Sequence, residues 1–341
     1  MKKSLVPFIK QALPYIAIVL GFIVIAYAYA PELLKGNIVN QSDIAGWRGM
    51  SNEIVTHNEN HPDDPTLWTN SMFGGMPANM ISVKYEGDYT DPIYKALFIG
   101  ERPASYLIIS LIGGFLLFLA FGVNIWLAVV GAIAITFCSY NMQIIQVGHN
   151  TKMIAIAFMP WVLAAVVHAY RRAPFWGSLL FAFALSFQIK ANHPQITYYL
   201  AMIVLAFVIA QLVISIRKKV IPEFIKTSAL LLVVGLLGIA TNINHLWPTY
   251  QYQEYSMRGG SELTHDEDIQ SGKGLKTDYA TAWSYGIEET PNLMIPDFNG
   301  GASTGELGIK SNTYQVLRGY QDARQIIKQM PLYWGDRKSV V

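Results

Sequence analysis

Seven runs of mostly apolar residues follow one another along the first two thirds of the chain. A helix that crosses roughly 30 Å of hydrocarbon needs about 20 such residues, and it leaves no backbone polar group unpaired in lipid. The runs lie near 12–30, 104–121, 124–141, 153–169, 175–190, 194–214 and 226–245. This pattern predicts an all-α polytopic membrane protein with about seven transmembrane helices, several of them joined by tight turns.

Two long polar segments lie outside these runs, at 31–103 and 246–341. Both are rich in Gly, Pro, Asn, Asp and aromatic residues, which favours a folded domain of α and irregular structure over a disordered linker. We therefore predict a transmembrane domain over 1–245 that includes an exterior loop, followed by an exterior tail. A tail of this length without a returning span is unusual, so we expect the sequence to be a piece of a longer membrane protein.

The composition agrees with a membrane protein, because only 14% of the residues are charged and 52% are hydrophobic. Soluble domains carry about 25% charged residues. The net charge of +2 gives no reason to expect nucleic acid as a partner. The single cysteine, Cys138, lies in an apolar run and is expected to be a buried, inert thiol. The first run is long enough to be an uncleaved helix and not a signal peptide.

The basic residues predict the orientation of the chain in the membrane. With a cytoplasmic N-terminus, the turns on the inner side hold Lys2, Lys3, Lys10, Arg171, Arg172, Arg217, Lys218, Lys219 and Lys226. The short outer turns hold only Lys152 and Lys190. This bias follows the positive-inside rule, so we predict a multi-pass protein of the plasma membrane with its N-terminus in the cytoplasm.

Asp43 is the first carboxylate of the exterior loop and comes shortly after the first run. A carboxylate near the headgroup plane can act as a general base toward a hydroxyl group, or bind a divalent metal. The structural alternative is that Ser42 or Asp43 is a helix N-cap. The residues alone leave both interpretations open.

Histidine, lysine and amide side chains collect in the outer turns next to the fourth and sixth runs. Asn150 or Thr151 can cap the fourth helix. His149 and Lys152 can bind a phosphate at that helix N-terminus, although Lys152 can equally extend to water. In the turn before the sixth run, Lys190 is a cation that breaks the inside bias.

The sixth and seventh helices add three more candidates. Pro194 fits the first position of the sixth helix, with His193 near its cap. The seventh run ends in amides and His245, which at this depth face a cavity or another helix. Glu254 lies in an aromatic stretch typical of a membrane interface and is a second candidate carboxylate. The segment 57–65, with two histidines and two aspartates, is interpreted as a solvated loop and not a metal site.

Several short motifs resemble the bacterial YfhO-type membrane protein family. They are WTNSMFGGMP at 68–77, GHNTK at 148–152, NHPQ at 192–195, WSYGIEE at 283–289 and IPDFNGG at 295–301. Members of that family are usually longer, and the ending at 337–341 departs from their pattern. The family is similar to the multi-spanning glycosyltransferases of the GT-C class, which take a sugar from a polyprenyl-phosphate carrier on the outer side of the membrane.

The resemblance implies a GT-C-like fold in a bacterial plasma membrane, with Asp43 as the catalytic base or the ligand of a divalent metal. It implies a glycan or lipid acceptor as the second substrate. The residues that would then bind the lipid phosphate and the sugar are His149, Asn150, Lys152, Lys190, His193, His245 and Glu254.

Two other functions fit the same residues. A lipid or glycan transporter, or flippase, should place ionisable residues near the middle of the membrane, and the runs here are apolar inside. An envelope assembly protein would use its exterior aromatic residues to bind a partner, and the aromatic stretch 250–255 suits that role.

Overall fold

The computed structural model describes residues 6–83, 85, 88–256, 291, 315–316 and 318–320. The motifs at 283–289 and 295–301 lie outside these residues, as does most of the predicted tail. The helices are α1 (Val6–Tyr29), α2 (Ser42–Asn60), α3 (Asp91–Leu97), α4 (Ala104–Phe121), α5 (Ile125–Thr136), α6 (Ser139–Val147), α7 (Asn150–Arg171), α8 (Pro174–Lys190), α9 (Pro194–Lys218), α10 (Ile221–Ala240) and α11 (Ile243–Tyr252).

The chain divides into two compact units. The bundle unit consists of Met1–Asn40, Asp88–Phe137 and Asn150–Asn242. The loop unit consists of Gln41–Gly87, Cys138–His149 and Ile243–Val341. This division does not test the predicted end of the transmembrane domain at residue 245, which stays a prediction.

Five described helices are long and apolar enough to cross a membrane: Lys10–Tyr29, Ala104–Phe121, Asn150–Arg171, Pro194–Lys218 and Ile221–Ala240. The number is six if α5 and α6 are counted as one broken span. These helices confirm a multi-pass helical protein, and they confirm the first, second, fourth and sixth predicted runs and the part of the seventh run up to Ala240.

Two predicted runs differ from the structure. The run 124–141 is not a continuous helix, because α5 ends at Thr136 and α6 begins at Ser139. The run 226–245 is also interrupted, since α10 ends at Ala240 and α11 begins at Ile243. Apolar residues continue across the first break, so hydropathy alone could not find it. The second break falls at Thr241 and Asn242, polar residues that the prediction included in the end of the seventh run. The run 175–190 corresponds to α8, which has 17 residues and a length of roughly 25 Å.

Helix α8 runs antiparallel to α7 along the whole of its length. The residue pairs that pack together are Gly177 with Ala169, Ala184 with Val162, and Ala191 with Ala155. A step of seven residues along α8 matches a step of seven back along α7. This spacing is typical of the left-handed, small-angle packing of membrane helix pairs.

The other contacts of the bundle unit fix the direction of each remaining helix. Helix α4 lies parallel to α7, where the Trp161 indole donates to the Ile109 carbonyl at 2.9 Å and the Arg172 guanidinium donates to Leu119 at 3.3 Å. Helix α9 is also parallel to α7, and α10 is parallel to α8. The contacts that establish these two directions are Leu200 with Val162, Phe207 with Tyr170, Gly238 with Ala182, and Asn242 with Ser186.

Helices α1 and α5 both run antiparallel to α4. The Thr136 hydroxyl of α5 donates to Ser110 of α4 at 2.9 Å, while Gly131, earlier in α5, lies against Phe118, further along α4. Phe22 of α1 packs on Phe115 of α4, while the hydroxyl of Tyr27, later in α1, accepts a hydrogen bond from the backbone N–H of Glu101, just before α4. Helices α4, α7 and α9 therefore run one way, and α1, α5, α8 and α10 run the other way. This is the alternation that the seven predicted runs require.

The alternation brings the basic residues to one end of the bundle unit, which we call the basic end. This end holds the start of α1, the ends of α7 and α9, and the start of α10. Its cations are Lys10, Arg171, Arg172, Arg217, Lys218, Lys219 and Lys226. Such an end meets the expectation of the positive-inside rule, and its placement in the cytoplasm stays a prediction.

We expect Gly177→Ala to destabilise the protein by about 1–3 kcal/mol, the usual range for overpacking. A Cβ atom at Gly177 would lie 2.3 Å from the backbone nitrogen of Ala169 and 2.4 Å from its Cα, so α7 and α8 would have to separate. Gly21→Ala is the matched control, because nothing lies within 4 Å of its added Cβ. Unfolding by SDS titration from a mild detergent measures both variants, and equal midpoints would contradict the packing.

The loop unit combines helices with a short hairpin. Strand β1 (Trp68–Thr69) pairs antiparallel with β2 (Met76–Pro77), and a 3-10 turn (Ala78–Met80) follows and packs against α11. The Trp47 indole of α2 donates to the Ile81 carbonyl at 3.1 Å. Cys138 is exposed, so the prediction of a buried thiol is wrong. It is the N-cap of α6 and lies at the break after α5, not inside a helix.

Candidate functional site

The start of α2 is attached to the end of α6. The last carbonyl groups of a helix have no partner within the helix. Two of them, on Ile145 and Val147 of α6, accept hydrogen bonds from the side chains of Gln41 and Ser42 at 2.5 Å and 3.4 Å. These bonds set the position of the first turn of α2 against the end of α6.

Gly148 allows the two helix ends to approach closely. Its φ of +108° lies in the left-handed region, which side chains with a Cβ rarely adopt. A Cβ at this position would lie 3.0 Å from Cβ of Gln41 and 3.3 Å from Cβ of Asp43. Glycine therefore satisfies both the backbone conformation and the space available at this junction.

The junction brings Asp43 and His149 into direct contact. Oδ2 of Asp43 lies 2.8 Å from Nε2 of His149, and the two side chains are 44% and 27% exposed. Asp43 is in the first turn of α2, where the helix dipole favours a negative charge. The N-cap is Gln41, so the alternative that Ser42 or Asp43 caps this helix is wrong. The carboxylate is instead held by an imidazole from a part of the chain more than 100 residues away.

This geometry leaves a carboxylate that is oriented yet open to solvent. One oxygen is engaged by the imidazole, and the exposed fraction of the side chain leaves room for a hydroxyl group to approach. A general base needs such access together with a fixed position. Asp43 and His149, which we call the Asp–His pair, are the candidate functional site of the loop unit.

Lys190, the last residue of α8, is bound by carboxylates of the bundle unit. Its ammonium group contacts Asp88, lies 3.5 Å from Asp91 and donates to the Thr90 hydroxyl at 3.2 Å. The Tyr94 ring centroid is 5.5 Å away, and only 8% of the lysine side chain is exposed. The interpretation of Lys190 as a phosphate ligand stays a prediction, but its charge is already balanced by two neighbouring carboxylates.

The two carboxylates show the electrostatic effect of this arrangement. Burial raises the pKa of Asp88, but the hydrogen bonds from Lys190 and Thr90 outweigh it, so that the net pKa is lowered. The pKa of Asp91 is lowered mainly by the hydrogen bond from Lys95, whose ammonium lies 2.6 Å away, and further by Lys190. Both groups are therefore stabilised as carboxylates.

The other candidates of the bundle unit lie at the end opposite the basic end. Asn150 is the first residue of α7 and is 8% exposed, while Lys152 is half-buried. His193 is the N-cap of α9 with Pro194 in the first turn, which confirms the predicted start of that helix. Ala191 packs with Ala155 of α7 in one buried cluster, so the turn after α8 lies beside the first turns of α7.

The last two candidates belong to the loop unit. His245 in α11 packs edge-on against the Tyr85 ring, with centroids 4.7 Å apart. Glu254 is exposed in the 3-10 turn Gln253–Tyr255. Among the described residues, no group of three or more His, Cys, Asp or Glu side chains is placed to hold a metal ion. His57 and His61 stack at 4.5 Å in the segment interpreted as solvated.

Sequence reasoning missed two carboxylates that organise these units. Asp88 is one, and Glu53 of α2 is the other. Glu53 accepts hydrogen bonds from the Thr69 hydroxyl at 2.5 Å and from the backbone N–H groups of Asn70 and Ser71 at 3.0 Å and 2.9 Å. The Thr69 hydroxyl is the main cause of the lowered pKa of Glu53. Nothing in the local sequence distinguishes either residue from a solvated acid.

Comparisons of the chain with known protein families, with curated protein sequences and with solved structures found no match.

Proposed function

We propose that the protein is a GT-C-like glycosyltransferase that moves a sugar from a polyprenyl-phosphate carrier to an acceptor hydroxyl on the outer side of the membrane. The observation that carries this proposal is the Asp–His pair. Asp43 is the residue for which the family resemblance implies catalysis, and its side chain is 44% exposed and held by His149 at 2.8 Å.

The proposed step is a direct displacement at the anomeric carbon. The acceptor hydroxyl gives its proton to the Asp43 carboxylate while its oxygen forms the new bond to the anomeric carbon. The bond from that carbon to the phosphate oxygen breaks, and the electron pair leaves with the polyprenyl phosphate. Attack opposite the leaving group inverts the anomeric centre. His149 orients the carboxylate by its hydrogen bond, which is a positioning role, and the phosphate contact predicted for it from the sequence stays a prediction.

The leaving phosphate needs positive charge as it departs. The phosphate-binding roles of Lys152, Lys190 and His193, which belong to the bundle unit, stay predictions, and Lys190 in addition contacts Asp88 and Asp91. Asn150, His245 and Glu254 stay candidate contacts to the sugar. The Asp43 carboxylate could also bind a divalent metal, as predicted from the sequence, and no step above depends on such a metal.

Sugar transfer by the purified protein tests the proposal. The protein is reconstituted in liposomes with polyprenyl phosphates that carry a radiolabelled hexose or N-acetylhexosamine, together with bacterial envelope glycan and lipid acceptors. We expect label to reach an acceptor and free polyprenyl phosphate to appear in equal amounts. Folded protein that releases no polyprenyl phosphate from any donor would overturn the proposal.

A role in envelope assembly is the second candidate, and the exposed aromatic face of α11 favours it. Trp247 and Tyr250 are 54% and 63% exposed, and α11 has no buried residue. Exposed aromatics of this kind are enriched in protein interfaces and at membrane surfaces. An assembly protein would bind without transfer, so the same assay separates the two functions.

A further inference from the structure

We propose that the groove between α4, α7 and α8 is a binding site for one anionic phospholipid, with an acyl chain in the groove and the phosphate at the basic end. This inference does not depend on the glycosyltransferase proposal, because it uses a different surface of the bundle unit and none of the candidate residues above.

The groove is a long apolar cavity inside the bundle unit. Its volume is about 390 Å³, within the usual range for ligand pockets. Along α7 its lining runs from Phe158 to Arg172, a distance of about 20 Å at the rise of a helix. One leaflet of the hydrocarbon core is about 15 Å thick, half of the bilayer value. A cavity so long and narrow suits a single extended chain better than a compact ligand.

The walls of the groove are apolar and open toward the lipid-facing surface. Of the fourteen lining residues, only His168 and Arg172 are polar. Leu180 and Phe183 of α8 are 55% and 49% exposed, and Leu116 of α4 is 37% exposed. An acyl chain can therefore enter sideways from the membrane, and its burial there is favourable through close packing.

The polar end of the groove carries positive charge that a phosphate would complement. Arg172 follows the last turn of α7, and His168 lies one turn before it. Arg171 is adjacent and stacks on the Phe121 ring, 5.0 Å from its centroid. In the described part of the chain, no carboxylate lies within 4.0 Å of either guanidinium. The Arg172 side chain is exposed, and one of its five N–H groups donates to the Leu119 carbonyl, so that other N–H groups can bind a phosphate.

This charge pattern identifies the occupant. Arginine binds phosphate through two parallel hydrogen bonds, and anionic lipids gather where basic residues meet the membrane surface. A neutral hydrocarbon would not need Arg172, and a soluble anion would not need the groove. A phospholipid uses both parts, because its acyl chain fills the groove and its phosphate meets Arg172.

Native mass spectrometry of the purified protein tests the proposal. The delipidated protein is mixed with micelles that contain either palmitoyl-oleoyl phosphatidylglycerol or palmitoyl-oleoyl phosphatidylcholine. We expect one phosphatidylglycerol to be retained about tenfold more strongly than phosphatidylcholine, as one charge-assisted contact implies. Arg172→Gln should remove this preference. Arg217→Gln, at the basic end but outside the groove, should keep it.

A second pair of variants tests the acyl-chain part of the site. Ala120→Trp fills the groove and should lower the retention of both lipids. Ala206→Trp, on an exposed face of α9 that does not line the groove, should leave retention unchanged. Equal retention of the two lipids by the unmodified protein, equal loss in both arginine variants, or normal retention in Ala120→Trp would each overturn the proposal.

Discussion

Asp43→Asn is expected to lower the rate of sugar transfer by about two to four orders of magnitude, the usual contribution of a general base. The asparagine side chain has the same shape as aspartate, and its carbonyl oxygen can still accept a hydrogen bond from the imidazole. It cannot take up the proton of an acceptor hydroxyl. The measurement is the initial rate of label transfer in liposomes, at equal amounts of folded protein.

Asp63→Asn is the matched control for this experiment, because Asp63 is an exposed carboxylate of the same loop unit. Its transfer rate should equal that of the unmodified protein. His149→Ala should lower the rate by a smaller factor than Asp43→Asn, since it frees the carboxylate without removing it. A normal rate in Asp43→Asn, with an unchanged SDS unfolding midpoint, would remove Asp43 from the mechanism.

Lys190→Met is expected to destabilise the protein by about 3 kcal/mol, near the lower end of the range for breaking a buried ion pair. The lysine side chain is 8% exposed, and its loss would leave Asp88, at 21% exposed, without its ammonium partner. Lys95→Met is the matched control. Lys95 also pairs with Asp91, but it is 72% exposed, so its loss should cost less than about 1 kcal/mol.

Two further measurements separate the charge effect from a packing effect. Adding Asp88→Asn to Lys190→Met should recover part of the lost stability, because it removes the unpaired charge. The lowered pKa of Asp88 means that its carboxylate stabilises the fold above its ordinary pKa of 3.8 and that this effect is lost as the pH falls through the lower folded value. The gap between the unmodified protein and Lys190→Met should therefore narrow in acid. A constant gap would point to packing alone.

The predicted helix positions agree with the structure where the residues at a helix end alone specify that end. The predicted helix start at Pro194 follows from the fixed φ of proline, which suits the first turn of a helix. The break after Thr136 was missed because the residues on both sides are apolar, and hydropathy does not report helix continuity. Helix α2 was considered only as the alternative in which Ser42 or Asp43 is its N-cap, and the structure shows that it extends to Asn60 with Gln41 as its N-cap.

For the candidate site, too, some features were predicted from the sequence and others were not. Asp43, His149 and Lys190 were identified as candidates from the sequence, because few ionisable residues lie beside the apolar runs. Their partners were not found. The phosphate-binding roles predicted for His149 and Lys190 stay predictions, while the contacts of His149 with Asp43 and of Lys190 with Asp88 came only from the structure.

By itself the sequence determined that this is a multi-pass helical membrane protein, that its helices alternate in direction, and that its cations gather at one end. These properties depend on the hydropathy and charge of short stretches of the chain, because each stretch partitions into the bilayer or into water according to its own residues. Only the tertiary structure decided which side chains meet. The pairing of Asp43 with His149 and of Lys190 with Asp88 joins residues about 100 positions apart. Such contacts depend on how the helices pack, and Gly148 contributes because it has no Cβ atom and so lets two helix ends approach closely. No local sequence pattern specifies that packing.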